Sequence, residues 1–144
     1  MENCVIKNIN VLYYALPLEG NLVDALHGKH DNFELIIAKV LLSNGIEGVG
    51  YTYTGGIGGK AIATMMEIDL KPRLLGRTIV DLSSLNLYMN NAIHYVARGG
   101  IASFAISAFD IAFGDASLKT KNIALADAFG TRQKKLKHTM AVLI

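Results

Sequence analysis

Two histidines and two aspartates lie close together within residues 18–32, namely Asp24, His27, His30 and Asp31. Imidazole nitrogens and carboxylate oxygens are ligands for divalent metals, so the cluster raises the question of a metal site. Zinc sites usually add cysteines or a pair of histidines on one helix, and this segment offers neither. Histidines and aspartates in a glycine-containing loop are more often solvated. We therefore predict no metal site here, and a substrate contact and a plain surface both stay open as interpretations.

A glycine-rich run follows at residues 56–61, and its sequence Gly-Ile-Gly-Gly-Lys-Ala matches the G-x-G-x-x-A pattern of dinucleotide-binding loops. That fold requires a parallel strand with an acidic residue about 20 positions later, whereas the strand before this run is predicted in an antiparallel hairpin. A phosphate-binding P-loop is also rejected, because Ala61 follows Lys60 and Thr54 occupies the position of the leading glycine. Neither kind of nucleotide-binding loop is therefore predicted for these glycines.

The other polar side chains of note are predicted to have structural roles. His94 lies at a predicted helix C-terminus, where a packed or capping histidine is favoured by the helix dipole. Asp110 and Asp115 are expected to pair with Arg98 or Lys119.

Composition excludes several classes of function. The 144 residues carry a net charge of +2, which is too small to indicate nucleic-acid binding, and the basic run at 132–137 is interpreted as a solvated surface. No apolar stretch reaches the length of about 18 residues that crosses a bilayer, and residues 1–10 do not form a signal peptide, so we predict a cytoplasmic protein without membrane contact. The single cysteine, Cys4, is predicted to lie in the core. Hydrophobic residues make up 51% of the chain and charged residues 18%, which indicates that another surface covers part of it.

The first half of the chain is predicted to form three strands. Residues 5–16 are rich in Val, Ile, Leu and Tyr and end at Pro17, which suits a first strand closed by a turn. Residues 18–32 show no sustained periodicity and are predicted to form a long loop. Residues 33–42 and 48–54 flank Ser43, Asn44 and Gly45, and an Asn-Gly pair between β-rich runs predicts an antiparallel hairpin.

The second half is predicted to be helical. A first helix covers residues 62–70 and ends at Pro72, and a second begins at a cap on Ser83 or Ser84 and runs through residue 95 to a glycine stop at 99–100. A third helix covers residues 101–119 and carries a stripe of small residues that would let another backbone approach closely. A short helix at 124–129 and a strand at 139–144 complete the prediction. The fold class is therefore α+β.

One segment of about thirty residues is similar to a known signature. Residues 98–102 (Arg-Gly-Gly-Ile-Ala) and 105–112 (Ala-Ile-Ser-Ala-Phe-Asp-Ile-Ala), followed by Asp115, Lys119 and the stretch 124–130, resemble the mandelate racemase and muconate lactonizing family of the enolase superfamily. Residues 48–54 (Gly-Val-Gly-Tyr-Thr-Tyr-Thr) resemble the capping domain of that family. The resemblance covers residues 4–135 and implies a three-stranded antiparallel sheet with a helical bundle that closes over a modified (β/α)8 barrel. Residues 1–130 are thus predicted to be the capping domain, and residues 131–144 a first barrel strand or a tail.

The resemblance also implies a chemistry. Family members abstract the proton α to a carboxylate and stabilise the enediolate with Mg²⁺, which is held by three carboxylates at barrel strand ends, while Lys or His bases lie on other strands. A barrel needs about 200 residues or more, so we expect no metal ligand, catalytic base or bound cofactor from this chain alone. The Lys-x-Lys pair at 119–121 imitates the family's base motif, but it lies at a helix end, where residues i and i+2 diverge.

Two loops, residues 18–32 and 51–59, are implied to cover the substrate, and His27, Tyr53 and Thr54 are the predicted contacts. The main hypothesis is the capping region of a Mg²⁺-dependent racemase or acid-sugar dehydratase that acts on a carboxylate and is incomplete without its barrel. The alternative is a truncated, inactive relic that survives by self-association. Homo-oligomer formation is expected, because the apolar stripe of the third helix would otherwise be exposed to water. Within the signature, Leu118, Gly114 and residues 127–129 depart from the family pattern and are expected to weaken packing against the barrel.

Overall fold

The computed structural model describes residues 4–96 and 98–130. Three strands, β1 (Ile6–Asp24), β2 (Gly28–Leu42) and β3 (Glu47–Thr54), form one antiparallel sheet in the order β1-β2-β3. The helices that follow are α1 (Gly59–Thr64), a π-helical segment (Met65–Leu70), α2 (Lys71–Leu74), α3 (Leu82–Ile93), α4 (Gly100–Thr120) and α5 (Leu125–Ala128). The predicted α+β class and the sheet followed by helices are confirmed. The predicted strand at 139–144 and the basic run at 132–137 lie outside the described residues.

The first two strands form a hairpin that is longer than predicted. Pairing continues from Pro17 opposite Asn32, across an irregularity, to Asp24 opposite Gly28, so the prediction of a long loop at residues 18–32 was wrong. Glu34 pairs with Thr54, and the residues of β2 that precede Glu34 have no partner in β3. The end of the hairpin is therefore a two-stranded ribbon that projects past the sheet.

The second hairpin agrees with its prediction. β2 and β3 pair from Glu34 opposite Thr54 to Leu41 opposite Glu47. At the turn, the Gly45 backbone has a φ of 84°, a left-handed conformation that glycine adopts without strain. The Gly45 N–H donates to the Leu42 carbonyl at 3.0 Å, so the predicted Asn-Gly signal marks the turn correctly.

The helical region differs from its prediction at Pro72 and at the start of α3. The chain stays helical past Pro72 to Leu74, because Pro72 lies in the first turn of α2 and directly follows the wider π-helical turns, while Leu70 and Leu74 are both buried. The cap of α3 is Asp81 rather than Ser83 or Ser84; its side chain accepts from the Ser84 N–H at 3.1 Å. The short helix predicted at residues 124–129 is α5, and Gly130 follows it with a φ of 73°.

The second predicted helix also ends earlier than expected. α3 stops at Ile93, and Gly99 and Gly100, with φ values of 72° and 49°, lie at the start of α4 instead of terminating α3. His94 is the residue at the C-terminal end of α3, and its Nδ1 lies 2.7 Å from the Asn91 carbonyl, in agreement with the predicted capping role.

Helix α4 packs its small residues against the sheet. Ala105, Ala108, Ala112 and Ala116 are fully buried, and Gly50 faces this row across the interface. A Cβ atom added to Gly50 would lie 2.1 Å from the Ala108 carbonyl oxygen, so only glycine permits this approach. The predicted close approach is confirmed, but the backbone that makes it belongs to β3. The expected exposure of the stripe to water holds for its two large side chains only, because Phe104 and Ile111 are 44% and 47% exposed whereas Ala105, Ala108 and Ala112 are buried.

The core lies between the inward face of the sheet and the helices. From β2 it takes Ile36, Ala38, Val40 and Leu42, and from α4 the stacked pair Phe109 and Phe113, whose ring centroids are 6.0 Å apart. Cys4 is buried at the edge of the same cluster, as predicted. By length and composition alone α4 could cross a membrane, and 44% of its most apolar stretch is buried within the fold.

Candidate functional site

The tip of the β1–β2 hairpin is organised by Asp24. Its Oδ1 accepts the backbone N–H groups of Leu26 at 2.9 Å and His27 at 2.6 Å, which closes the turn at residues 25–27. The same carboxylate contacts both histidines of the tip, with Oδ1 3.1 Å from His27 Nδ1 and Oδ2 2.6 Å from His30 Nε2. The hydrogen bond from His30, together with that from the His27 N–H, holds the pKa of Asp24 well below its ordinary value. Asp24 is therefore ionised at neutral pH.

His30 links the hairpin tip to residues 55–59, the glycine-rich segment that follows β3. Its side chain is only 12% exposed, and its second ring nitrogen, Nδ1, lies 3.3 Å from the Gly55 carbonyl oxygen. A carboxylate and a carbonyl oxygen are both acceptors, so only the doubly protonated ring satisfies both contacts at once. The hydrogen bond to Asp24, followed by that to Gly55, accordingly raises the pKa of His30.

The other end of the glycine-rich segment is fixed by Glu34, a buried carboxylate with 7% exposure. Glu34 accepts three short hydrogen bonds, from Tyr13 Oη, Thr54 Oγ1 and the Gly59 N–H, each at 2.6 Å. The bond from Thr54, followed by that from Tyr13, lowers the pKa of Glu34, and the bond to Glu34 raises the pKa of Tyr13. A Cβ at Gly59 would lie 2.7 Å from Glu34 Oε2, so the carboxylate also requires glycine there.

A row of rings joins the two segments along one surface. The ring centroids of His27 and His30 are 6.0 Å apart, those of His30 and Phe33 are 5.7 Å apart and stacked, and Phe33 meets Tyr53 edge-on at 6.1 Å. The structure therefore brings His27 and Tyr53, two of the three predicted contacts, to opposite ends of one aromatic row. Both are well exposed, the His27 side chain at 65% and Tyr53 at 60%.

The third predicted contact, Thr54, is half-buried and its hydroxyl is bound to Glu34. It also lines a cleft of about 510 Å³ between the glycine-rich segment and the start of α4. The walls of that cleft are mainly apolar, with Ile57, Ile101 and Phe104 among them. The hydrogen bond to Glu34 therefore gives Thr54 a role in positioning the glycine-rich segment.

Sequence reasoning missed Glu34, Tyr13 and Phe33. One signal in the sequence pointed to Glu34. The buried residues of β2 alternate as Ile36, Ala38 and Val40, and Glu34 lies two residues before Ile36, so it is on the same inward face. A carboxylate at an inward position needs partners, and the threonine and glycine after β3 supply them.

The remaining predicted side chains have structural contacts. Asp115 pairs with Lys119 at 2.6 Å and also accepts the Val49 N–H at 2.8 Å, whereas Asp110 binds Asn86 Nδ2 at 2.9 Å instead of a cation. Lys119 further donates to the Glu47 carbonyl, which ties the end of α4 to β3.

The described residues do not fit a magnesium site of the family type. Among residues 4–96 and 98–130, only Asp24, His27 and His30 bring three metal-ligating side chains together, with donor atoms within 4.8 Å of one another. Two of the three donors are imidazole nitrogens, whereas Mg²⁺ is bound through oxygen ligands and water. This part of the chain therefore offers no carboxylate triad for Mg²⁺.

The architecture defines a capping domain: a three-stranded sheet backed by helices, which carries a projecting hairpin and a glycine-rich segment side by side. The comparisons agree, because the sequence profile of the mandelate racemase / muconate lactonizing enzyme N-terminal domain matches residues 16–130. The chain belongs to this family of the enolase superfamily.

Two curated relatives are a cycloisomerase and a dehydratase. The chain is 41% identical over 111 residues to 3,6-anhydro-alpha-L-galactonate cycloisomerase of Streptomyces coelicolor, covering 77% of this chain and 31% of the relative. It is 32% identical over 123 residues to L-talarate/galactarate dehydratase of Salmonella typhimurium, covering 82% of this chain and 31% of the relative. The chain thus spans about a third of the length of these relatives.

Solved structures give the same result. A racemase from Streptomyces coelicolor with bound magnesium matches with a TM-score of 0.76 and 41% identity over 78% of this chain and 32% of that one. L-talarate/galactarate dehydratase from Salmonella typhimurium, liganded with Mg and L-lyxarohydroxamate, matches with a TM-score of 0.84 and 27% identity over 92% of this chain and 35% of that one. Both of these solved structures contain magnesium.

Proposed function

We propose that this chain is the substrate-capping domain of an enzyme that abstracts the proton α to the carboxylate of a sugar acid. Family membership supports the reaction class, and the relatives named above act as a cycloisomerase, a dehydratase and a racemase. The observation that carries the proposal is the hydrogen bond between His30 and Gly55, which holds the hairpin tip against the glycine-rich segment. Two covering elements are thereby joined into one surface.

The exposed ends of the aromatic row suit the recognition of a polar substrate. His27 directs Nδ1 towards Asp24, which leaves Nε2 as the ring nitrogen that can face a ligand, and Tyr53 presents an exposed phenol. Both groups are hydrogen-bonding side chains on ordered strands or turns, which is how capping elements select hydroxyl and carboxylate groups. We propose that His27 and Tyr53 contact the substrate and that Thr54 and Glu34 position the segment.

The catalytic groups and the magnesium ligands are proposed to come from a barrel, in agreement with the relatives being about three times as long as this chain. The exposed apolar side chains near the cleft fit this arrangement. Ile57 is 88% exposed and Phe104 is 44% exposed, and contact with a second domain would bury them. The cytoplasmic location, the homo-oligomer and the absence of nucleic-acid and membrane contacts stay predictions from the sequence.

A domain exchange tests the proposal. Residues 1–130 replace the capping domain of the Salmonella typhimurium dehydratase, and turnover of galactarate is compared with that of the barrel alone. We expect the chimera to have a higher kcat/KM than the barrel alone. Within the chimera, we expect His27→Ala and Tyr53→Phe to lower kcat/KM, mainly by raising KM. The matched controls are His94→Ala and Tyr14→Phe, which change the same residue types away from the site.

Two results would contradict the proposal. One is a folded chimera with no more activity than the barrel alone, and the other is an equal loss from the control variants. Sequencing the gene past the codon for Ile144 adds an independent test, because the relic hypothesis predicts no barrel sequence there, while the capping hypothesis predicts carboxylates and a Lys-x-Lys motif on strands.

A further inference from the structure

The Asp24, His27 and His30 cluster is arranged in a way that a covering role alone does not require. Two imidazoles converge on one carboxylate, and all three donor atoms lie within 4.8 Å of one another. We propose that these three side chains form a binding site for one divalent transition-metal ion of the zinc type. The inference is independent of the proposed function, because the site is complete within the hairpin and needs no barrel.

The three donor atoms lie near enough to one another for a single ion to reach all of them once the cluster opens slightly. In a tetrahedral zinc site with bonds of about 2.0–2.1 Å, neighbouring donors are separated by roughly 3.3 Å. Here Asp24 Oδ1 lies 3.1 Å from His27 Nδ1, and Asp24 Oδ2 lies 2.6 Å from His30 Nε2. A small outward movement of one side chain would admit the ion. His27 can make this movement because it lies on a turn and its side chain is 65% exposed. Three protein donors leave a fourth position for water or a ligand.

The surroundings of His30 match those of a metal-binding histidine. Such histidines usually donate their other ring N–H to a carbonyl or carboxylate, which fixes the orientation of the ring. His30 Nδ1 has this contact with the Gly55 carbonyl at 3.3 Å, while stacking on Phe33 restricts the ring further. Nε2 is left pointing at Asp24, and a metal ion would take the place of the proton between them.

The donor set selects the class of metal. Imidazole nitrogen suits zinc, nickel, copper and iron, whereas magnesium and calcium prefer oxygen donors. The proposed site is therefore distinct in chemistry from the magnesium centre of the related enzymes. A bound ion would hold the turn at 25–27 onto His30, and through His30 onto the glycine-rich segment.

The test uses the untagged 144-residue chain. After equilibrium dialysis against zinc chloride, metal analysis is expected to give about one zinc per folded chain, with magnesium at millimolar concentration unable to displace it. Cobalt(II) replaces zinc as a spectroscopic probe, and its visible absorption band reports nitrogen and oxygen ligation. His27→Ala and Asp24→Asn are expected to weaken binding at least about tenfold, the lower limit for disturbing even the supporting contacts of a metal site.

His94→Ala is the matched control, because it removes a histidine of the described region that lies outside the cluster. It is expected to leave zinc affinity unchanged. His27 is the decisive position, since an exposed turn side chain can be removed without loss of the fold, which circular dichroism verifies for each variant. Failure of the folded wild-type chain to retain zinc would overturn the proposal, as would unchanged binding by His27→Ala or an equal loss in His94→Ala.

Discussion

The close approach of β3 and α4 gives the sharpest prediction, because a single methyl group measures it. In Gly50→Ala the added Cβ would lie 2.1 Å from the Ala108 carbonyl oxygen and 2.5 Å from the Ala112 nitrogen. Real Cβ atoms essentially never approach closer than 3.0 Å, so β3 and α4 must separate by roughly 0.9 Å. Both clashing atoms belong to the backbone of a long helix and cannot rotate away.

The loss of stability follows from the van der Waals contacts that are weakened when β3 and α4 separate. A gap of about 0.5–1 Å forfeits a quarter to a half of each van der Waals contact along the seam, and overpacked cores typically lose about 1–3 kcal/mol. Because backbone has to move, we expect Gly50→Ala to reduce the free energy of unfolding by about 3 kcal/mol. For a domain of this size, that corresponds to a fall in Tm of roughly 10 °C.

Urea unfolding followed by circular dichroism measures the effect, and Gly114→Ala provides the control. Gly114 lies within α4, and a Cβ added there meets nothing within 4 Å. The same methyl group should therefore stabilise the protein by up to about 1 kcal/mol through helix propensity. If Gly50→Ala left the free energy of unfolding within about 0.5 kcal/mol of wild type while Gly114→Ala behaved as expected, the inferred interface would be wrong.

Three further predictions concern hydrogen bonds. Glu34→Gln should destabilise the fold by about 1–3 kcal/mol at pH 7. Because hydrogen bonds lower the pKa of Glu34 in the folded state, its stabilisation is present above the unfolded-state pKa of 4.5 and is lost as the pH falls through the folded-state pKa, so the difference between wild type and variant in urea titrations should shrink as the pH is lowered. Asp81→Ala should lower the Tm by removing the cap on the Ser84 N–H, whereas Asp81→Asn should keep it, and equal Tm values for both would contradict the cap. Thr54→Val should accelerate hydrogen exchange at the Gly59 N–H, since Glu34 loses a partner that orients it, and unchanged exchange would contradict this coupling.

Local signals explain which elements could be predicted from the sequence. The β2–β3 hairpin follows from an Asn-Gly pair between two β-rich runs, and α4 follows from its long apolar pattern after two glycines. In these cases the residues that decide the structure are neighbours in sequence. The family signature lies in the same well-specified region, which is why the resemblance identified the fold correctly.

The hairpin tip could not be predicted in this way. Beyond Glu34 the ribbon has no third strand and no core beneath it, so no alternation of apolar and polar residues marks its strands. Its pairing depends on backbone hydrogen bonds and on contacts such as His30 with Asp24, which join residues on opposite strands. The predicted end of the first helix at Pro72 was wrong for a related reason. Burial of Leu70 and Leu74 keeps the chain helical where local propensity predicts an end.

Two hydrogen bonds of the glycine-rich segment limit how it can move. Gly55 is held by His30 through its carbonyl, and Gly59 is held by Glu34 through its N–H, so both ends of the segment are fixed to β2. Only residues 56–58 lie between these anchors, and Gly56 and Gly58 have positive φ values of 97° and 93°. Motion should therefore consist of a local change at the two glycines that swings Ile57, whose side chain is 88% exposed, rather than a hinge that displaces the whole segment. Such a change would move Ile57 relative to the aromatic row, whose rings Phe33 and Tyr53 belong to β2 and β3.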